Sequence, residues 1–302
     1  MWLKWAVFTP LRDVLSKKAA TRFTPCLSYP SDAADDEDLV DPRVLLLTKQ
    51  KQKEIDEVYM RRCLQLAKNG RQNAKPNPMV GAVVVHEGRI IGEGYHRKCG
   101  EAHAEVNAIA SVKAQDRPLL KDSTIYVSLE PCSHYGKTPP CAELILKTGI
   151  PRVVVGCLDP FPAVSGRGVR MLREAGVEVI TGVMEAECKA LNRAFMTMQT
   201  AHRPYVILKW AQSADGFLDR VRTSAEEPPV VLSSAETMRR VHQLRTEVRA
   251  ILVGTRTALL DNPSLTVRHW EGPSPLRIAL DRSLKIPATH HLLDGTVPTL
   301  IL

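Results

Sequence analysis

The feature that most constrains the fold is a regular alternation of strand-like and helix-like segments between residues 80 and 182. Four stretches rich in β-branched residues predict strands, and the first turns back at Glu87-Gly88: VGAVVVHEGRIIGEGYH, STIYVSL, RVVVGCLD and VEVITG. The segments between them carry apolar residues at helical spacing: HAEVNAIASV, CAELILKTG and GVRMLREAG. A hairpin followed by this βαβαβ order predicts an α/β layer sandwich with a partly parallel sheet.

The rest of the chain predicts a helix before this region and a second α/β unit after it. EIDEVYMRRCLQLAKNG has a helical pattern that ends at Gly70, and a later helical pattern ends before Pro204. Beyond it, strands are predicted in YVILKWAQS, RAILVG, PLRIALD and TVPTLIL, a helix in AETMRRVHQLRTE and a loop in TRTALLDNPSLTVR. The 302 residues are enough for two domains. We predict an N-terminal extension over 1–50, disordered or beginning at a misassigned start, a domain over 51–203, and a second over 204–302 that lacks its C-terminal part.

Charge and composition narrow the class of function. The formal net charge of +8 favours acidic partners, either nucleic acid or a phosphorylated small molecule. The chain has no block of Lys or Arg and only 5% aromatic residues, which disfavours a nucleic-acid platform. No apolar run approaches the roughly 20 residues of a membrane span. Seven cysteines in a chain of this length do not make a disulfide framework, so we expect a reducing compartment, the cytoplasm.

A candidate metal site lies between residues 100 and 149. His103, Cys132 and Cys141 supply three ligands of the kinds that a catalytic zinc uses, with a fourth position left for water. Glu105 separates a catalytic interpretation from a structural one, because a hydrolytic site needs a carboxylate that moves protons. His103 and Glu105 are two residues apart, so they can reach one cavity only from the first turn of a helix.

The spacing of the cysteines distinguishes this site among zinc deaminases. HAE and EPC match the signature His-x-Glu followed by Pro-Cys-x-x-Cys, except that the second cysteine comes six residues later. The inserted SHYGKTPP carries His134 and Lys137, which suit a phosphorylated substrate. Two other classes stay open here, a deaminase acting on bases in nucleic acid and a non-enzymatic zinc-stabilised scaffold.

Longer stretches of the chain resemble the bifunctional deaminase/reductase family of riboflavin biosynthesis. They are PNPMVGAVVV, GYHRKCGEAHAEVNAI, YVSLEPCSHYGKTPPC, GCLDPFPAVSGRGVRMLREAGVEV, LKWAQSADG and ILVGTRTALLDNPSLTVR, and the resemblance covers Glu54 to Asp281. It implies a cytidine-deaminase-like three-layer α/β/α domain followed by a truncated domain of dihydrofolate-reductase-like fold. The implied reactions are deamination of 2,5-diamino-6-(5-phosphoribosylamino)pyrimidin-4-one and NADPH-dependent reduction of the ribosyl group to a ribityl chain.

The resemblance also implies roles for individual residues. Zinc would be held by His103, Cys132 and Cys141, with Glu105 as the proton carrier. The deaminase substrate would be bound by Asn77, His96, His134, Lys137 and Asp159. The reductase substrate would be bound by Arg245, Leu265 and Arg268, and NADPH by Ala211, Thr257 and Asp261.

The chain departs from the family pattern at three places. Phe161 stands where the family commonly has Asn, and Val231-Leu232-Ser233 stands where it often has Trp-Ile-Thr. The later glycine-rich part of the reductase domain is expected to be missing after Leu302. An alternative is therefore a working deaminase joined to a non-functional reductase. We expect a small-molecule substrate, no nucleic-acid or membrane partner, and leave a homo-oligomer open.

Overall fold

The computed structural model describes residues 42–135, 139–161 and 165–302, and two β-sheets organise this part of the chain. The helices are α1 (Pro42–Ala67), α2 (Ala104–Ala110), α3 (Cys141–Thr148), α4 (Arg167–Glu174), α5 (Glu185–Leu191), α6 (Arg193–Ala201), α7 (Ala235–Glu247) and α8 (Thr255–Asp261). The strands are β1 (Gly81–His86), β2 (Arg89–Tyr95), β3 (Thr124–Leu129), β4 (Arg152–Cys157), β5 (Glu178–Thr181), β6 (Ala250–Gly254), β7 (Leu276–Leu280) and β8 (Thr299–Ile301). Short 3-10 helices cover Lys68–Gly70, Ala114–Asp122 and His291–Leu293.

The first sheet has the strand order β2-β1-β3-β4-β5. Strand β1 is antiparallel to both of its neighbours, whereas β3, β4 and β5 are parallel to one another. The β1–β2 turn places Glu87 and Gly88 at positive φ, 46° and 76°, as a two-residue hairpin loop requires. The predicted hairpin and the partly parallel sheet are therefore confirmed.

Helices cover both faces of this sheet, which makes three layers. Alternate residues of β1 point to opposite sides: Ala82 and Val84 pack with α2, α3 and α4, while Val83 and Val85 pack with α1, α5 and α6. Strands β3 and β4 are buried along almost their whole length, as parallel strands covered on both faces are. The expected three-layer α/β/α domain is confirmed.

A glycine in β2 allows α2 to lie directly on the sheet. A Cβ atom at Gly94 would lie 2.3 Å from the backbone nitrogen of Ala108 and 2.6 Å from the carbonyl oxygen of Ala104. Any larger side chain would push α2 away from β2, because backbone atoms cannot move aside as a flexible side chain can. This contact determines where the residues at the start of α2 lie.

The second sheet has the order β6-β7-β8 with all strands parallel, and it follows the predicted runs RAILVG, PLRIALD and TVPTLIL. One face packs on a small core made of Ala258, Leu265, Ala279, Ile286 and Leu292. On the other face Leu252 and Leu300 are 54% and 44% exposed. This sheet is thus covered on one side only within the described residues.

Helix α1 begins at Pro42, within the stretch assigned to the extension over 1–50; residues 1–41 lie outside the described residues, and the bounds of the extension stay a prediction. Two predictions of local structure were wrong. The run YVILKWAQS forms no strand and its Tyr205–Trp210 stretch is exposed, because strand propensity expresses fit to a neighbouring strand and none lies beside it in the described chain. The expected loop after β6 contains α8, since Thr-Ala-Leu-Leu favours a helix that Asn262 ends at a φ of 37°.

Helix α7 contacts the segment that follows α1. Lys75 Nζ donates to the carbonyl oxygens of Thr246 (2.6 Å) and Val248 (3.3 Å) at the end of α7, and Arg71 pairs with Glu247 at 3.2 Å. Residues Leu46–Leu302 form one compact unit that includes both sheets, so the boundary near Arg203 stays a prediction. None of the helices in the described ranges has the length and apolar character needed to cross a bilayer.

Candidate metal centre

Three potential metal ligands come together at the carboxyl end of β3. His103 is the N-cap residue of α2, Cys132 lies three residues after β3, and Cys141 is the first residue of α3. Strand β3 pairs antiparallel with β1 and parallel with β4. Open α/β sheets bind their ligands outside the carboxyl ends of strands, which is where these three residues lie.

The spacing of the donor atoms fits zinc. The Nδ1 atom of His103 lies 3.5 Å from the Cys132 sulfur and 3.4 Å from the Cys141 sulfur. All three ligand atoms lie within 4.8 Å of one another. Tetrahedral zinc with bonds of about 2.0 to 2.3 Å separates nitrogen and sulfur ligands by about 3.5 Å, the separation seen here. The chemistry of the set, one imidazole and two sulfurs, also suits zinc.

Hydrogen bonding within the cluster favours a thiolate on Cys132. The hydrogen bond from the Cys141 side chain lowers the pKa of Cys132 to about 4, and His103 contributes in the same direction. The same pairing, together with burial, raises the pKa of Cys141. The pKa of His103 is raised, chiefly by its hydrogen bond to Cys132. Cys132 is thus the cysteine whose thiolate, the form that binds a metal, is favoured within the cluster.

Glu105 lies in the first turn of α2, next to the three potential ligands. Its side chain is only 3% exposed and contacts Cys141. Burial, followed by the nearby charge of Cys132, raises its pKa to about 7. The structure thus brings together all four residues of the predicted constellation, with Glu105 buried beside the ligands.

His96 and Asn77 form a hydrogen-bonded pair next to the ligands. The rings of His96 and His103 meet edge to face with centroids 5.5 Å apart. His96 Nδ1 lies 3.1 Å from the carbonyl oxygen of Ala102, which can only accept, so this nitrogen carries the proton. His96 Nε2 then accepts from Asn77 Nδ2 at 3.2 Å. Burial lowers the pKa of His96, which keeps the ring neutral.

Asp159 and His134 lie on the segments that follow β4 and Cys132. Asp159 is 9% exposed, and burial raises its pKa. Its Oδ1 accepts the backbone N–H of Phe161 at 2.8 Å, and the Phe161 ring meets His134 edge to face at 6.5 Å. The expected contact Lys137 lies outside the described residues.

The predicted reductase-substrate residues surround Thr266. Arg245 on α7 donates to the Thr266 carbonyl oxygen at 2.6 Å, and Arg268 donates to the Thr266 hydroxyl at 3.0 Å. Leu265 is buried in the small core. Burial and the neighbouring Arg268 lower the pKa of Arg245. The guanidinium groups of Arg245 and Arg268 therefore both lie next to Thr266.

The predicted NADPH contacts do not form a dinucleotide site among the described residues. Ala211 lies in the segment without strand pairing, and Thr257 is exposed on α8. Asp261 pairs through Oδ1 with Arg222, a buried residue that also binds Asp219. Because one carboxylate oxygen of Asp261 is bound to Arg222, we derive no reduction step from these residues.

Sequence reasoning missed two residues that organise these regions. Arg222 holds the segment before α7 to the end of α8. Glu130 is buried between the zinc ligands and the start of α4, where it accepts backbone hydrogen bonds. The signal for Glu130 was its position, an acidic residue at the end of an apolar strand and directly before Pro-Cys. Arg222 has no comparable signal in its sequence context.

Two family models match separate parts of the chain. Residues 53–157 match the cytidine and deoxycytidylate deaminase zinc-binding region, and residues 204–302 match the RibD C-terminal domain. A curated relative from Aquifex aeolicus (strain VF5), named riboflavin biosynthesis protein RibD, is 46% identical over 252 residues, which are 83% of this chain and 68% of the relative. The chain belongs to the RibD family.

Other RibD proteins agree with this assignment. RibD of Escherichia coli (strain K12) is 40% identical over 254 residues, which cover 79% of this chain and 66% of that protein. The chain thus spans about two thirds of the length of these curated relatives. A solved Thermotoga maritima diaminohydroxyphosphoribosylaminopyrimidine deaminase/5-amino-6-(5-phosphoribosylamino)uracil reductase is similar with a TM-score of 0.76 and 41% identity, covering 83% of this chain and 70% of that one.

The RibD assignment confirms the predicted family and fold class. The chain has both regions of the RibD family, a deaminase zinc-binding region and a RibD C-terminal domain. These regions imply zinc and NADPH as cofactors. The roles of the individual site residues stay predictions.

Proposed function

We propose that this chain catalyses the hydrolytic deamination of 2,5-diamino-6-(5-phosphoribosylamino)pyrimidin-4-one to the corresponding uracil. The observation that carries the proposal is that the ligand atoms of His103, Cys132 and Cys141 lie within 4.8 Å of one another, with the buried Glu105 beside them. A structural zinc site uses four protein ligands, whereas three ligands and a buried carboxylate suit a hydrolytic site.

The reaction needs a group that moves one proton from water to the departing amine. Zinc, when bound by His103, Cys132 and Cys141, supplies a Lewis acid that makes water more acidic. The Glu105 carboxylate accepts a proton from the attacking water and later gives it to the amine nitrogen. The carbon–oxygen bond forms at the ring carbon that bears the amino group, the carbon–nitrogen bond breaks, and ammonia leaves. We place Glu105, in the first turn of α2, within reach of the water oxygen and of the amine nitrogen.

The surrounding residues are suited to orient the pyrimidine. Neutral His96, with its proton on Nδ1, and Asn77 form one wall, and Asp159 offers an acceptor from the segment after β4. We assign His134 and Lys137 to the phosphoribosyl group, because a hydrogen-bonding ring and a cation suit a phosphate. Phe161 in place of the family's Asn adds an aromatic edge beside His134.

The test is the substitution Glu105→Gln, which preserves the shape of the side chain and removes its ability to take a proton. We expect ammonia release to fall by about 10²- to 10⁴-fold with zinc still bound. Glu101→Gln is the matched control, because Glu101 is exposed and lies two residues before His103. Near wild-type ammonia release by zinc-loaded Glu105→Gln would overturn the role of Glu105, whereas no ammonia release by the zinc-loaded wild type would overturn the proposed function.

We further propose reduction of the ribosyl group with NADPH as a second activity of residues 204–302. Its support is the match to the RibD C-terminal domain and the proximity of Arg245 and Arg268, which suit a phosphate. The alternative, a deaminase without a working reductase, predicts ammonia release with no oxidation of NADPH. Following both products in one reaction separates the two.

The partner and the location are part of the same proposal. A phosphorylated pyrimidine accounts for the net charge of +8 without a nucleic-acid partner, and deamination of RNA or single-stranded DNA would favour the nucleic-acid alternative. Six described cysteines are free thiols, which supports the cytoplasm as the compartment. A homo-oligomer stays a prediction.

A further inference from the structure

Glu130 is a buried carboxylate whose oxygens accept backbone hydrogen bonds from two other segments. It follows β3 and is 4% exposed. Its Oε2 accepts the N–H groups of Asp159 (3.2 Å) and Gly166 (2.9 Å). Its Oε1 accepts those of Gly168 (3.0 Å) and Val169 (3.3 Å). A carboxylate buried with four donors is held far more rigidly than a surface side chain.

The donors show what Glu130 connects. Asp159 follows β4, whereas Gly166, Gly168 and Val169 belong to the N-cap and first turn of α4, where helical N–H groups have no partner within the helix. Glu130 itself stands two residues before the zinc ligand Cys132. One side chain therefore joins the ligand segment, the residue after β4 and the start of α4.

The packing around Pro131 leaves this arrangement little freedom. A Cβ atom at Gly168 would lie 2.0 Å from the carbonyl oxygen of Pro131. The first turn of α4 thus lies against the backbone between Glu130 and Cys132. A shift of α4 or of Asp159 would have to displace the segment that carries the metal ligand, or break hydrogen bonds to Glu130.

We propose that Glu130 is a positioning residue for substrate binding, which holds Asp159 in a defined place relative to Cys132. This inference rests on the proposed deaminase function and adds a residue to it. Glu130 acts through Asp159, whose Oδ1 in turn fixes the backbone N–H of Phe161. Loss of Glu130 therefore weakens the binding of the pyrimidine phosphate more than it slows the chemical step at Glu105.

The test compares Glu130→Gln with a matched control, Asp56→Asn. Both changes replace a buried carboxylate by an amide of the same shape, but Asp56 bonds Arg152 and Tyr126 on the α1 side of the sheet. We expect Glu130→Gln to raise KM by about 10- to 100-fold with kcat changed less, because the amide nitrogen cannot accept the two N–H groups that one carboxylate oxygen accepts, and hydrogen bonds to a charged group are worth about that factor. We expect zinc content to match wild type, and Asp56→Asn to lower the melting temperature with KM unchanged.

Two further measurements test the same role, one by proteolysis without any activity assay and one by combining two substitutions. Trypsin should cleave Glu130→Gln faster than wild type after the exposed Arg167, because the first turn of α4 loses its acceptor, and Asp56→Asn should not show this change. In an Asp159→Asn background, Glu130→Gln should raise KM little further, since residues that act as a unit are not additive. Glu130→Asp, which keeps the charge, should recover part of the loss.

The outcomes separate this inference from the proposed function. A wild-type protein that releases no ammonia from the diaminopyrimidine phosphate would contradict the proposed function. With an active wild type, an unchanged KM and unchanged cleavage at Arg167 in Glu130→Gln would overturn the positioning role. Loss of zinc in proportion to activity would overturn it as well, because Glu130 would then support the metal ligands rather than Asp159.

Discussion

The two sheets of this chain differ in how completely other elements cover their faces. The first is covered by helices on both faces, and its ligand cluster, His103, Cys132 and Cys141, is already gathered with Glu105 buried beside it. The second has one covered face, and Leu252 is 54% exposed on the other. Both regions belong to the same enzyme family, yet only the first presents a nearly complete site.

A correct pattern of strands is therefore not enough to assemble a functional site. In the first region the ligands are attached to the ends of elements whose positions are determined by packing, such as α2 against Gly94. In the second, Ala211 lies on a segment without a neighbouring strand and Asp261 is bound by Arg222. Preorganisation requires that the supporting elements be packed as well as present.

The largest loss of activity is expected from the removal of a metal ligand of the first region. Cys132→Ser should lose zinc and lower ammonia release by at least about a thousandfold, since a bound metal ion contributes several kcal/mol to such reactions. Metal analysis and an ammonia assay measure the two effects. Cys99→Ser is the control, because Cys99 is exposed and lies outside the cluster. Retention of zinc by Cys132→Ser would contradict the ligand assignment.

A second test acts on the other sheet. Arg277 is fully buried and donates to Thr299, to Asp294 and to the carbonyl oxygens of Ser264, His291 and Val297. Arg277→Leu leaves these acceptors unpaired, and we expect a loss of about 3 to 5 kcal/mol in the unfolding free energy of this region.

The measurement for Arg277→Leu is urea unfolding followed by tryptophan fluorescence, because the described tryptophans, Trp210 and Trp270, both lie in residues 204–302. Zinc content and ammonia release should stay near wild type, because the acceptors that Arg277 binds all lie in residues 264–299, away from the ligand cluster. Arg282→Leu, at an exposed position, is the control. A parallel loss of zinc would show that the first region depends on the second.

The smallest expected effect concerns pH. His242 is fully buried, its Nδ1 accepts the N–H groups of Arg268 and His269, and burial, with the charge of Arg245 next, lowers its pKa to about 4. The unfolded chain takes up this proton at higher pH, so stability is present above pH 6.5 and is lost as pH falls toward 4.

The expected slope from His242 is at most about 1.4 kcal/mol per pH unit below pH 6.5. Urea unfolding at pH 7.5 and at pH 5.5 measures it. His242→Asn keeps an acceptor near the position of Nδ1 but cannot titrate, so its stability should depend less on pH in this window. An identical slope in both proteins would contradict the assignment.

Much of the first region could be predicted from sequence because each of its signals is local. The hairpin at Glu87-Gly88, the alternating strands and helices, and the order of His103, Glu105, Cys132 and Cys141 are all visible in short windows. Glu130 could not be assigned, because its role depends on backbone N–H groups that only the fold brings near, those of Asp159, Gly166, Gly168 and Val169.

The second region was harder to predict because its signals depend on context. The run YVILKWAQS has the composition of a strand, but a strand also needs a neighbour to pair with. The stretch TRTALLDNPSLTVR was expected as a loop, but its residues Thr255–Asp261 form helix α8, which ends at Asn262. Arg222 pairs with Asp261 across 39 positions of sequence, a contact that no periodicity indicates.

The most direct test of the central claim follows ammonia release and NADPH oxidation separately in one reaction. Protein treated with a chelator is given the diaminopyrimidine phosphate, and zinc is then returned in steps. We expect no ammonia before zinc is returned, and full release of ammonia at one zinc ion per chain, with or without NADPH. Ammonia release by the zinc-free protein, or release only when NADPH is oxidised, would contradict it.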